Sequence, residues 1–332
     1  MWRNVTRLNL GGNPDMDLTE VDWSMFGFLT ALMMDNTKLR DVREDFFDGV
    51  PNLRYLGLKG NNISFIKPKL FAKLGQLEEL NLSHNLLTKF HPDSFSGLRN
   101  LKRLFLGSNM LNSIEPKVFQ HLQRLSQLGL SHNKIKYLHK NMFYPLRELQ
   151  RLDMLDNPLS NVHQDCFAGL KSMLHLKLSY NYLEKLPDRL FSEMNSLMVL
   201  DLNDNRIDLT SSVELFEGLN HLSHLDLGGN RIRFLHNEIF QPLLQLTTLD
   251  LSRNQISYMA KKAFNWLQKL EKLNIEDNKI VSLSSKCFWH LASLRYLSLS
   301  GNNIQNITSG AFVGLSNLLD LDISKNKLQQ VR

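Results

Sequence analysis

A chain of 332 residues that is 42% hydrophobic and 22% charged, with 17 Gly and 9 Pro, is neither disordered nor collagen-like. Its 2 cysteines exclude a disulfide framework and a four-thiolate zinc site. The net charge of +6 raises the idea of an acidic or nucleic-acid partner without establishing one.

Residues 1–10 lack the apolar core of a secretion signal. The most apolar uncharged stretch, 23–34, is twelve residues long, against the roughly 20 that a spanning helix needs. Residues 296–319 are also uncharged, but their Asn, Ser, Gly and Gln unfit them for lipid. No membrane segment is expected within the chain.

Self-similarity is the dominant signal. Leu53, Leu56, Leu58, Asn61, Ile63, Phe71 and Leu74 recur 24 residues later as Leu77, Leu80, Leu82, Asn85, Leu87, Phe95 and Leu98. Further units start at 101, 125, 149, 173 and 197; the phase slips by one residue to 222 and resumes at 246, 270, 294 and 318. Upstream, Leu29, Leu32, Met34 and Leu39 form a weaker unit with Thr37 in place of asparagine, and Val5, Leu8, Leu10 and Asn13 another. Fourteen units cover residues 1–332, which predicts a single repetitive array in place of two globular domains.

Each position has a physical reason. Alternate residues of a short strand point to opposite faces, so Leu56 and Leu58 turn inward while Tyr55, Gly57 and Lys59 turn outward. One such unit cannot bury its own leucines, but stacked units form a parallel sheet with rungs about 4.8 Å apart. The asparagine amide both donates and accepts, as needed where the chain leaves the strand. Trp23 and twelve phenylalanines, from Phe47 to Phe312, predict a buried aromatic spine behind the sheet.

These residues closely resemble the leucine-rich repeat family, in the 24-residue subclass with a phenylalanine ten residues after the asparagine. The resemblance implies a curved α/β solenoid of about 14 repeats, a parallel sheet on its concave face and irregular or short helical returns outside. It also implies binding in place of catalysis, no cofactor, and an extracellular setting. Toll-like receptors, glycoprotein-hormone-type receptors and Slit belong to this subclass. Members of that kind close their ends with cysteine-rich caps. None is present, and the chain opens on a strand, so both ends are expected to be truncations of a longer secreted or anchored protein.

Candidate sites follow from the outward positions. Cys166 and Cys287 each precede a spine phenylalanine, five rungs apart, far beyond bridging distance, and read as buried free thiols. His224 and Asp226 share a strand, with Asp201 and Asp250 on adjacent rungs; a metal or acid–base site competes with a solvated ladder of aspartates. No P-loop, nucleophile elbow or zinc-protease motif accompanies them, so neither a catalytic nor a metal site is expected. Six basic and nine acidic residues occupy the sheet face, which places the global positive charge elsewhere and disfavours nucleic acid.

On that face Tyr55, Arg103 and Phe105 are residue types enriched at binding hot spots. With Asp153, Asp201, Asp226 and Asp250 they are the candidate ligand-binding residues. Glycosylation sequons stand at Asn4, Asn62, Asn81 and Asn306; a glycan on Asn81 would obstruct a Tyr55–Phe105 hot spot. The expected function is recognition of a protein ligand or co-receptor by the ectodomain of a cell-surface receptor or adhesion protein. A secreted matrix or guidance protein, a Toll-like pattern or nucleic-acid sensor, and an intracellular scaffold are the alternatives.

Overall fold

The computed structural model describes residues 4–18, 21–211 and 214–329. They form two compact units, Met1–Leu159 with Asp165–Ser172, and Ser160–Gln164 with Met173–Arg332. In the first, the three-residue strands Arg7–Asn9, Ala31–Met33, Tyr55–Gly57, Glu79–Asn81, Arg103–Phe105, Gln127–Gly129 and Arg151–Asp153 pair in parallel and in chain order. In the second, His175–Lys177, Val199–Asp201, His224–Asp226, Thr248–Asp250, Lys272–Asn274, Tyr296–Ser298 and Asp320–Asp322 do the same. Each of these three-residue strands falls on the L-x-L segment, with register partners one repeat apart, as Tyr55 to Glu79, and two-residue strands such as Phe234–Leu235 and Tyr258–Met259 pair separately in the return segments.

Stacking is what buries the leucines. Leu56, Leu80, Leu104 and Leu128 are 0% exposed between two neighbours, whereas Leu321, with a neighbouring strand on one side only, is 37% exposed. Three residues suffice for each strand because the chain is then pulled off the sheet by asparagine. Asn85 donates through Nδ2 to the Leu82 carbonyl of its own repeat at 3.0 Å and to the Leu58 carbonyl of the preceding one at 2.9 Å. Its Oδ1 accepts from the Ile63 N–H at 3.0 Å. The same bonds recur at Asn109, Asn133, Asn157 and Asn205, so the side chain ties consecutive rungs as well as its own turn. Thr37 keeps half of this pattern, donating to the Met34 carbonyl at 3.1 Å.

The residue immediately before the ladder position is left-handed in every repeat, from Gly12 at φ 74° through His84 at 56° and Tyr180 at 54° to Lys325 at 52°. That conformation turns the chain sharply enough for the asparagine to point inward. Most of these residues are not glycine, so each such turn carries steric cost, and the asparagine bonds hold it in place.

The return segments are turns with three short 3₁₀ helices, Trp23–Phe26, Pro116–Phe119 and Leu209–Ser211; the described residues contain no α-helix. Behind the sheet the phenylalanines stack: Phe119 on Phe143 at 6.1 Å, Phe143 on Phe167 at 6.0 Å, and Phe240 on Phe264 at 6.2 Å between ring centroids. Trp23 enters the spine edge-on through Phe46, and Phe312 is only half-buried. The one-residue slip lies between Asn205 and Phe216, where the chain makes the Leu209–Ser211 helix. No helix among the described residues is long and apolar enough to cross a membrane.

Candidate functional site

The aspartates of the sheet face have a structural task before any other. Where a strand ends on Asp or Asn, that side chain closes the N–H of the residue two positions on: Asp153 Oδ1 accepts from Leu155 N at 3.0 Å, Asp201 Oδ1 from Asn203 N at 3.1 Å, and Asp226 Oδ1 from Gly228 N at 2.9 Å. Asn81 does likewise with Ser83. The recurrent L-D-L and L-N-L patterns are therefore turn-closing devices.

In the first unit, Tyr55, Glu79 and Arg103 occupy consecutive rungs, and Arg103 Nε donates to Glu79 Oε2. Tyr55 and Phe105 are half-buried because glycines make room for them. A Cβ on Gly129 would stand 3.3 Å from Phe105, and one on Gly57 would stand 3.3 Å from Tyr55 and 2.9 Å from Asp35 Oδ1. Burial, reinforced by the Asp35 and Glu79 carboxylates, raises the Tyr55 hydroxyl above its ordinary pKa and keeps it a hydrogen-bond donor. Asp153 lies on the same face, opposite Gly129.

In the second unit, Asp201, Asp226 and Asp250 are direct register partners. Their second oxygens are held from neighbouring side chains: Asp201 by Ser179 Oγ at 2.8 Å, Asp226 by Asn203 Nδ2 at 3.1 Å, Asp250 by Asn274 Nδ2 at 3.0 Å. The carboxylates are half-buried and fixed, not a freely solvated ladder. A depression of about 280 Å³ over them is walled by Lys177, Val199, His224, Thr248 and Lys272. A second, of about 450 Å³, adjoins it through Lys272 and Asn274 and reaches Glu276, Tyr296, Asp320 and Asp322. Two lysines against six carboxylates give this face a net charge of −4 with histidine neutral. Among the described residues no group of three His, Cys, Asp or Glu is disposed to hold a metal ion.

Burial, outweighing its two hydrogen bonds, raises the Asp226 carboxyl above its ordinary pKa, and Asp250 and Asp201 add repulsion. A raised carboxyl pKa means the folded chain holds this proton more tightly than the unfolded chain. Its contribution to stability is favourable in acid and is lost as pH rises from about 4 through the raised value. Asp226→Asn, which keeps an acceptor for Gly228, is expected to gain stability relative to the parent between pH 4 and pH 7. Urea unfolding of both proteins at the two pH values measures this, and a constant difference would refute it.

The remaining candidates lie apart. Asn4, Asn62 and Asn306 are exposed, whereas Asn81 is half-buried between Gly57 and Phe105. Cys166 and Cys287 are buried free thiols whose burial raises their pKa, that of Cys287 to about 12.

With this geometry in view, the family model described as Leucine rich repeat matches residues 27–87, 51–111, 75–135, 99–159, 147–207, 210–256, 244–304 and 297–332. The chain belongs to the leucine-rich repeat family. A leucine-rich repeat protein of Leptospira interrogans is similar over 99% of this chain and 80% of its own, at 29% identity and TM-score 0.85. Toll, solved as the glycosylated Toll–Spatzle complex of Drosophila, is similar over 98% of this chain and 48% of its own, at 23% identity and TM-score 0.87. TLR13, solved in complex with ssRNA13, is similar over 92% and 52%, at 26% identity and TM-score 0.65. The chain thus spans about half the length of the two receptor structures. A search among curated proteins finds no match.

Within this leucine-rich repeat frame, residue-type reasoning overlooked Lys177, Thr248, Lys272 and Asn274 as walls of the depressions. The signal was available. Splitting the outward residues by unit concentrates the excess of carboxylates in the second.

Proposed function

We propose that this chain is a protein-recognition region and that the sheet face of its second unit receives an extended cationic segment of the ligand. The observation that carries this is the pair of adjoining depressions, one floored by the Asp201–Asp226–Asp250 row and the other edged by Glu276, Asp320 and Asp322. Six carboxylates, the row held in place by neighbouring bonds, present acceptors without further ordering on binding. Tyr296, exposed at the rim, adds an aromatic anchor. Recognition in place of catalysis accords with a family whose fold serves mainly as an interaction scaffold.

Tyr55, Arg103 and Phe105, with Asp153 beside them, form a second contact region on the first unit, suited to a mixed apolar and polar surface. A cell-surface receptor or adhesion ectodomain is the setting this reading favours, with a secreted matrix protein as its variant. A nucleic-acid ligand on this face would set phosphates against carboxylates.

Calorimetric titration with a lysine- and arginine-rich decapeptide and its glutamate counterpart tests the reading. The cationic peptide is expected to bind with steep salt dependence, and Asp226→Asn combined with Asp250→Asn to weaken it at least tenfold, about 1.4 kcal/mol. Equal affinity for both peptides, or indifference to the double substitution, would reject it.

A further inference from the structure

The flank where the chain leaves the second unit's sheet carries a cluster unlike the rest. Tyr180, Asp204, Gly229 and Arg253 fill the left-handed position of four successive repeats. Asp204 and Arg253, two repeats apart, form a bidentate pair at 2.9 and 3.0 Å that crosses over Gly229. A Cβ there would stand 2.3 Å from Asp204 Oδ1, so only glycine admits the bridge. Beside it the Arg206 guanidinium lies 4.4 Å from the centre of the Tyr182 ring. Glu184 sits between Arg206 and Arg231 at 3.7 and 3.6 Å, too far for firm hydrogen bonds. Phe234 and Tyr258 stack at 5.2 Å, nearly parallel, on the paired strands Phe234–Leu235 and Tyr258–Met259. Arg233, adjoining them, is exposed and makes no ion pair among the described residues.

Three independent features coincide here. Tyr180 is the one tyrosine among the fourteen left-handed residues that precede the ladder position, a bulky side chain held at φ 54° and left 55% exposed. The 25-residue repeat departs from the others by forming the Leu209–Ser211 helix, which packs near the Phe234–Leu235 strand of this flank, and insertions in repeat arrays map to one face, often the binding face. Tyrosine and arginine, the types enriched at interface hot spots, dominate the surface.

We infer that this flank docks an acidic segment of a partner protein, separately from the sheet face. Arg233 offers an unpaired fork to a carboxylate, and Arg206 and Arg231 exchange their loose contact with Glu184 for closer ones. Tyr182 and the Phe234–Tyr258 stack take up neighbouring apolar side chains. Glu184 and Asp204 lie among these arginines, which suits carboxylates interrupted by apolar residues better than the unbroken run of charge along a phosphate chain.

The test titrates the whole chain, by fluorescence anisotropy, with a labelled dodecapeptide of glutamate and leucine, its lysine counterpart, and a 12-nucleotide oligothymidylate. The acidic peptide is expected to bind most tightly. Arg231→Glu with Arg233→Glu should weaken it at least tenfold without moving the urea midpoint; should that variant fail to fold, Arg233→Gln alone should weaken it about threefold. No binding of the acidic peptide, tighter binding of oligothymidylate, or affinity within twofold in these variants would overturn the inference. The sheet-face reading stands or falls on the cationic peptide instead, so the two failures are distinguishable.

Discussion

Replacing Asn85 with leucine is expected to lower the free energy of unfolding by about 3–5 kcal/mol, although the substitution adds apolar surface at a buried site. The side chain lies 5% exposed and satisfies two carbonyls and one N–H, drawn from its own repeat and the preceding one. Leucine leaves the Ile63 N–H without a partner, and it leaves the Leu58 and Leu82 carbonyls with one donor each in place of two, Asn61 and Asn109. An unsatisfied buried group costs about 1–3 kcal/mol and each lost bond about 0.5–1.5 kcal/mol, not fully additively. The neighbouring Asn62, exposed, should tolerate alanine within about 0.5 kcal/mol. Urea unfolding of the two variants compares them directly. Equal effects would mean the ladder contributes nothing beyond the turn itself.

Truncating Phe143 to alanine is expected to cost about 3–5 kcal/mol, with Phe143→Leu costing distinctly less. The ring is fully buried between Phe119 and Phe167, so alanine leaves a cavity that neither neighbour can fill without losing its own stacking. Because rungs contact only their neighbours, amide hydrogen exchange should rise first around residues 119–167 and not across the whole unit. Exchange that rises uniformly would contradict a nearest-neighbour account of this core.

Leucines, phenylalanines and asparagines were legible because their period forces one geometry: a unit that cannot bury its own face must stack. The cross-repeat bonds of the asparagine were less so. Its composition announces a donor and an acceptor, but only the register brings the Leu58 carbonyl and Ile63 N–H of the previous repeat to Asn85. The left-handed residue before it left no signal, since Gly, Asn, His, Ser, Asp, Tyr, Arg and Lys all serve there. The aspartates of L-D-L read from sequence as solvated charge. Their half-burial comes from closing the strand-end N–H of residues such as Gly228, a backbone demand that residue types alone do not express. The flank cluster was invisible for another reason: Tyr182, Arg206 and Arg231 are 24 and 25 residues apart, and only stacking makes them neighbours.

The claim that the second unit's sheet face receives a cationic segment is tested most directly by a lysine- and arginine-rich decapeptide bearing a photo-crosslinker. Mass spectrometry of the adducts should place them on Thr248, Lys272 and Tyr296, the outward residues around the aspartate row. Adducts concentrated on the return side, at the exposed Trp266 and Trp289, would contradict it.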